Sequence, residues 1–133
     1  MHNMFNTCSS LTTLDVSNFN TSQVTSMMAM FSGCSGLTTL DVSSFNTSQG
    51  PDMTYMFNVC SKLKTIYVKQ YDETTKTGWK LGGEGTVMFG ACYSLVGGNG
   101  TKYHSGYTGG ARARIDTAET PGYFTNILDK TEQ

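Results

Sequence analysis

Residues 30–49, Met-Phe-Ser-Gly-Cys-Ser-Gly-Leu-Thr-Thr-Leu-Asp-Val-Ser-Ser-Phe-Asn-Thr-Ser-Gln, decide the fold because they nearly copy what precedes them. Phe5 to Gln23 matches Phe31 to Gln49 except at Asn6/Ser32, Thr7/Gly33, Ser10/Gly36 and Asn18/Ser44, so Phe5 and Phe31 mark a 26-residue step. The frame recurs with Phe57, Cys60, Leu63 and Ile66, and again, after an insertion, with Phe89, Cys92 and Leu95. A fixed period of this size signals supersecondary units stacked so that each buries its apolar face on the next.

Within one unit, Val24, Met27, Met30, Phe31 and Cys34 fall on one side at helical spacing and predict a short helix capped at Ser26 and left through Gly33 or Gly36. Leu40 and Val42 then alternate with Thr39, Asp41 and Ser43, the period of a half-buried strand. Phe45 fills the corner, and Asn46-Thr47-Ser48 reads as a turn. Stacking aligns Leu14, Leu40 and Ile66 in one column, Val16, Val42 and Val68 in a second, and Cys8, Cys34 and Cys60 in a third, giving one parallel sheet. Met27, Met30, Met53, Met56 and Met88 are core filling at helical spacing. The fold class expected is an α/β repeat, a leucine-rich-repeat-like solenoid of short parallel strands and short helices with a β-rich C-terminal cap.

The third unit departs at Gly50-Pro51-Asp52. Pro51 suits a first helical position and Asp52 a helix N-terminus, while Gly50 loses an apolar anchor and makes this the softest junction. Expected boundaries are residues 1–68 for the repeats, the first truncated, 69–85 for an insertion, 86–125 for a partial repeat and cap, and 126–133 for a tail. The insertion reads as strand, loop and strand. In the cap, Thr101 to Tyr103 and Ala111 to Asp116 read as strands, closed by Pro121-Gly122-Tyr123-Phe124-Thr125.

Charged residues make up only 14% of the 133 and the net charge is -1, so the chain lacks the basic footprint of a nucleic-acid or anionic-membrane binder. No apolar run is long enough to span a bilayer. The frame starts at the first residues and leaves no room for a signal peptide, so a fragment of a longer array is expected. One cysteine per repeat, without close pairs, excludes zinc spacing. Small buried free thiols are expected, because neighbouring helices would lie too far apart for bridges. No metal or other cofactor is expected.

The motif LxxLDVSxFNTSxVTxMxxMFxxC from Leu11 to Cys34 resembles the bacterial surface protein 26-residue-repeat family, grouped with BspA-like leucine-rich-repeat surface proteins. Leu95 to Tyr103 (LVGGNGTKY), Ala113 to Asp116 (ARID) and Pro121 to Thr125 (PGYFT) carry the same resemblance. It implies a secreted or wall-attached bacterial protein, often of host-associated species and suspected of adhesion, and it brings no catalytic residues.

The outward strand positions Thr13, Asp15 and Ser17, then Thr39, Asp41 and Ser43, then Thr65, Tyr67 and Lys69 form one continuous face. A hydrogen-bonding surface for a host or microbial glycan or protein is expected there. The bland reading is that Thr and Ser simply suit exposed strands and that the two carboxylates are held by neighbouring hydroxyls. Two carboxylates fall short of the six to eight oxygens that Ca²⁺ wants. Trp79, flanked by Lys76-Thr77-Gly78 and Lys80, is expected to be exposed and to extend the surface, while Tyr71, Tyr93, Tyr103, Tyr107 and Tyr123 pack the insertion and cap. Gly97 to Lys102 lacks the ending of a phosphate loop and reads as a hairpin, and His104 has no triad partner. A non-enzymatic binding module is therefore expected. Its alternatives are a passive stalk and, remotely, a glycosidase using Asp41 with Asp15 or Glu84. The open edge at Leu11 to Ser17 is expected to allow edge-to-edge self-association.

Overall fold

The computed structural model describes residues 3–80 and 85–130. Three short strands, β1 (Thr39–Asp41), β2 (Thr65–Val68) and β3 (Phe124–Asn126), form a parallel sheet in that order. Leu40 pairs with Ile66, as the repeat column predicts, and Ile66 with Phe124, which it does not; all three side chains are buried, whereas Leu14, expected in the same column, is half-buried and outside any strand. The third lane is not the next repeat. Val96 donates its N–H to Lys64 C=O at 2.9 Å, then the chain leaves for the cap and returns as β3 in the vacated lane. Arg114 to Asp116 flank the far side of β3 through an isolated Ile115–Phe124 bridge.

The predicted helices do not form, and no α-helix occurs among the described residues. In place of the helix after Ser26 the chain makes a string of β-turns. The carbonyls of Met27, Ala29, Phe31 and Cys34 accept from the N–H groups of Met30, Ser32, Cys34 and Leu37 at 3.1–3.3 Å. The alternate amides of Met27, Ala29, Phe31 and Gly33 point out of the segment and donate to Asp52, Thr54, Met56 and Asn58 of the next repeat at 2.7–2.9 Å. The pattern repeats one unit earlier, from Phe5 and Thr7 onto Met30 and Ser32, and one later, from Phe57 and Val59 onto Met88 and Gly90. Ser26 and Asp52, read as helix starts, instead form a parallel bridge between repeats.

Pitch is the physical reason. Parallel strands stack at about 4.8 Å, whereas packed helices need about 8 to 10 Å between axes. A repeat with both elements in register would have to splay, and a flat string of turns does not. Turns closing every four residues also put apolar side chains at Met27, Met30, Phe31 and Cys34, the spacing that mimicked a helix.

In the turns that begin at Met27 and Phe31, and in their equivalents in the other repeats, the third position falls at positive φ, which gives two columns: Asn3 (59°), Ala29 (54°), Tyr55 (60°) and Val87 (47°), then Thr7 (62°), Gly33 (80°), Val59 (65°) and Ala91 (57°). This is the signature of type II turns, which favour Gly or Asn there.

Between the columns the phenylalanines stack. Phe5–Phe31, Phe31–Phe57 and Phe57–Phe89 have ring centroids 5.7, 5.6 and 5.6 Å apart and interplanar angles of 6–8°. Tyr123 and Phe124 close the stack edge-on against Phe89, at 5.1 and 5.8 Å. Met27, Met30, Met53, Met56 and Met88 are buried beside it. The described cysteines are free, but the spacing argument against bridges fails with the helices. Each buried thiol instead donates to the phenylalanine carbonyl of the preceding repeat: Cys34 to Phe5, Cys60 to Phe31 and Cys92 to Phe57, at 3.0–3.1 Å.

Asn-Thr-Ser does more than turn. Thr21 is buried, its hydroxyl donating to Asn46 C=O at 3.2 Å and accepting from Asn46 N–H at 2.7 Å. Thr47 clasps Lys80 in the same way, at 3.1 and 2.6 Å, so the returning insertion completes the threonine column. Among the described residues of the insertion only isolated bridges form, Gln70 with Trp79 and Asp72 with Thr77.

Three further expectations are corrected. Residues 11–17 form no strand, so the first strand is β1 and the proposed open strand edge at Leu11 to Ser17 is absent. The tail expected from residue 126 is docked through Lys130. Asn126 belongs to β3, its side chain caps Leu128 N–H at 3.0 Å, and Ile127–Asp129 is a 3-10 turn. In the cap, residues 101–103 and 111–116 contribute single bridges and a 3-10 turn, Gly110–Arg112, rather than strands. Their hub is buried Asp116. It accepts from the N–H groups of Asn99, Thr101 and Gly122 and from the Thr101 hydroxyl at 2.7–3.1 Å. The Gly-Gly start of this hairpin is steric, because a Cβ at Gly97 would overlap the Gly122 carbonyl and the Asp116 side chain.

Candidate functional site

The sheet register brings most of the expected face together. Thr39 sits beside Thr65, and Asp41 beside Tyr67, in adjacent strands. Thr39 is exposed, while Asp41, Thr65 and Tyr67 are half-buried. Thr13 and Asp15 lie outside any strand and are exposed. Asp15 and Asp41 nevertheless line one cavity of about 240 Å³ with Ser17, Ser43 and Ser44.

The carboxylates are held by local geometry. Asp15 Oδ1 accepts from Ser17 N–H and Asp41 Oδ1 from Ser43 N–H, both at 2.9 Å. These are Asx turns, which explain why Asp-Val-Ser recurs. The Ser17 side chain, then its N–H, hold the Asp15 carboxyl below its ordinary pKa. Each aspartate keeps a second oxygen that these turns do not use. No group of three or more His, Cys, Asp or Glu side chains gathers among the described residues, so the pair stands alone there. Glu84 lies outside the described residues.

One neighbour of this face was not foreseen. Lys130 Nζ lies 3.6 Å from Asp41 Oδ2 and 5.2 Å from the Tyr67 ring centroid, so the C-terminal segment crosses the face at Asp41 and Tyr67. Thr125 of β3 pairs with Tyr67 and extends the row. A period-2 reading of Tyr123-Phe124-Thr125 could have signalled this strand, but its place beside β2 has no signal in the repeat.

Trp79 is not part of the face, which corrects the expectation of an exposed ring. It is 6% exposed and packs edge-on against Phe124 at 4.8 Å, while its backbone N–H donates to Lys69 C=O at 2.9 Å. The regular leucine column ends with the third repeat, and the insertion supplies Trp79 to cover β3. The polar residues around it misled because they occupy the outer side of the return. Tyr123 is fully buried and Tyr103 half-buried, whereas Tyr93, at 70% exposure, and Tyr107 are open to solvent. His104 Nδ1 accepts from Gly106 N–H at 2.9 Å, a local turn.

No helix of the described residues is long and apolar enough to cross a membrane. The model of the family described as "Mycoplasma protein of unknown function, DUF285" matches residues 1–80. No curated protein and no solved structure matches the chain.

Proposed function

We propose that this chain, which belongs to the DUF285 family, is a non-enzymatic module of a bacterial cell surface that binds a host or microbial surface protein or glycan through its lateral strand face. The finer reading of its architecture is a leucine-rich-repeat-like solenoid in which turn strings replace helices, akin to the BspA-like surface proteins that the motif resembles. The observation that carries the proposal is the in-register row of Thr39–Thr65 and Asp41–Tyr67, with Asp15 on the same cavity as Asp41. Such a row offers hydroxyls, carboxylate oxygens and one aromatic ring at strand spacing, the mixture that hydrogen-bonds and stacks on polar ligands.

A second reading, a passive stalk, is favoured by the Asx turns, since each aspartate has a structural task that needs no ligand. The two separate on an array of immobilised glycans and extracellular-matrix proteins, probed with the wild type and with Asp15→Ala/Asp41→Ala/Tyr67→Ala. The binding module predicts a signal lost in the folded variant. Silence from both proteins supports the stalk, and equal signals move the site off this face. Trp79 is left intact in the test because its burial makes it part of the core.

A further inference from the structure

Where the insertion meets the cap, the structure has a cavity of about 300 Å³ that shares no residue with the strand face. Tyr71 and Trp79 form aromatic walls, Val68 and Ile115 an aliphatic floor, and Gln70 and Arg114 polar positions. This size and mixture are those of a small-molecule site.

Three features indicate the charge of the occupant. No carboxylate is among the lining residues, whereas Arg114 is. Arg114 Nε is spent on Pro121 C=O at 2.8 Å, which fixes the guanidinium while its Nη groups make no hydrogen bond among the described residues. Lys80 Nζ, although Lys80 does not line the cavity, sits 5.2 Å from the Tyr71 centroid and adds positive charge nearby. The indole N–H of Trp79 supplies an independent pointer. It is buried and has no hydrogen-bond partner among the described residues. A donor left this way costs about 1–3 kcal/mol, so an acceptor that reaches the indole N–H from this cavity is rewarded.

We propose that this cavity binds a small organic carboxylate with a hydroxylated ring, the chemistry of an acidic monosaccharide. The carboxylate is taken by the free Nη groups of Arg114 in a charge-assisted contact. The ring lies against Tyr71 and Trp79. Thr117 and Thr120, whose hydroxyls bond each other at 2.6 Å, and Gln70 also line the cavity and offer their remaining hydrogen-bonding capacity to the ring hydroxyls.

Trp79 is the only tryptophan in the chain, so its fluorescence reports this cavity alone. Titration with glucuronate is expected to give a saturable change. Glucose is expected to bind at least tenfold more weakly, as is glucuronate to Arg114→Gln. Equal binding of glucose and glucuronate, or no saturable response to glucuronate, overturns the proposal. So does undiminished binding by a folded Arg114→Gln variant. Should Arg114→Gln unfold, the wild type decides: its single indole N–H resonance is expected to shift downfield with glucuronate, and an unmoved resonance contradicts the site.

Discussion

At the residue scale the unusual feature is the pair of left-handed columns, six of whose eight members are neither Gly nor Asn. An L-residue in this region costs roughly 1–2 kcal/mol, more for a β-branched side chain such as Val59 or Val87. Val59→Gly relieves that strain but adds about 1 kcal/mol of unfolded-state entropy. Its stability in urea should therefore be unchanged or raised by up to about 1 kcal/mol. Gly33→Val should lose about 1–2 kcal/mol or more, since its Cβ would also press on the Thr7 backbone at 3.1 Å. A loss for Gly33→Val against none for Val59→Gly, read from urea midpoints, tests the turn type.

Asp116 is the other residue with a large individual effect. Burial works against its charge, but the Thr101 hydroxyl and the N–H groups of Thr101, Gly122 and Asn99 outweigh it and hold the pKa below its ordinary value. The group thus contributes stability that is complete above its unfolded pKa of about 3.9 and is lost as pH falls through the lower folded value. Asp116→Ala strands several donors and should cost about 3 kcal/mol, and it should flatten that acid limb in pH-dependent melts.

The elements show what the sequence made legible and what it hid. Period and columns were legible, because Leu40 and Ile66 are neighbours for the same reason that Leu-Asp-Val recurs: an alternating strand has one buried side. The helix was not, because apolar spacing of three and four is produced equally by consecutive four-residue turns, and only the pitch of the stack distinguishes them. The face at Asp41 and Tyr67 could be read from alternation. Lys130 above it could not, since it depends on where the chain returns after the cap.

The turn strings also fix the environment of the thiols. Burial pushes the Cys92 thiol up to about 12, and burial likewise raises Cys60 and Cys34. Ellman's reagent on the folded protein should therefore modify half-buried Cys8 well ahead of the other three, which should react only on unfolding. Comparable rates at all four would mean that the stack opens. Phe57, touching Phe31, Phe89 and Phe124, is the keystone of the ring stack, and Phe57→Ala should cost about 3–5 kcal/mol in a thermal or urea melt.

For the whole molecule, the sheet is closed by a lane from the far end of the chain, so cap and repeats should melt as one transition. The Lys130–Asp41 pair is solvent-exposed and adds little to this, so Lys130→Ala should change stability by less than about 1 kcal/mol. The account rests on repeats being joined amide to carbonyl along their turn strings, which holds the strand lanes and the face they carry in register. Long-range HNCO spectroscopy reads those bonds one at a time. A through-hydrogen-bond coupling from Phe31 N to Met56 C′ is the predicted result, and a coupling from Phe31 N to Met27 C′, the bond of an α-helix, would contradict it.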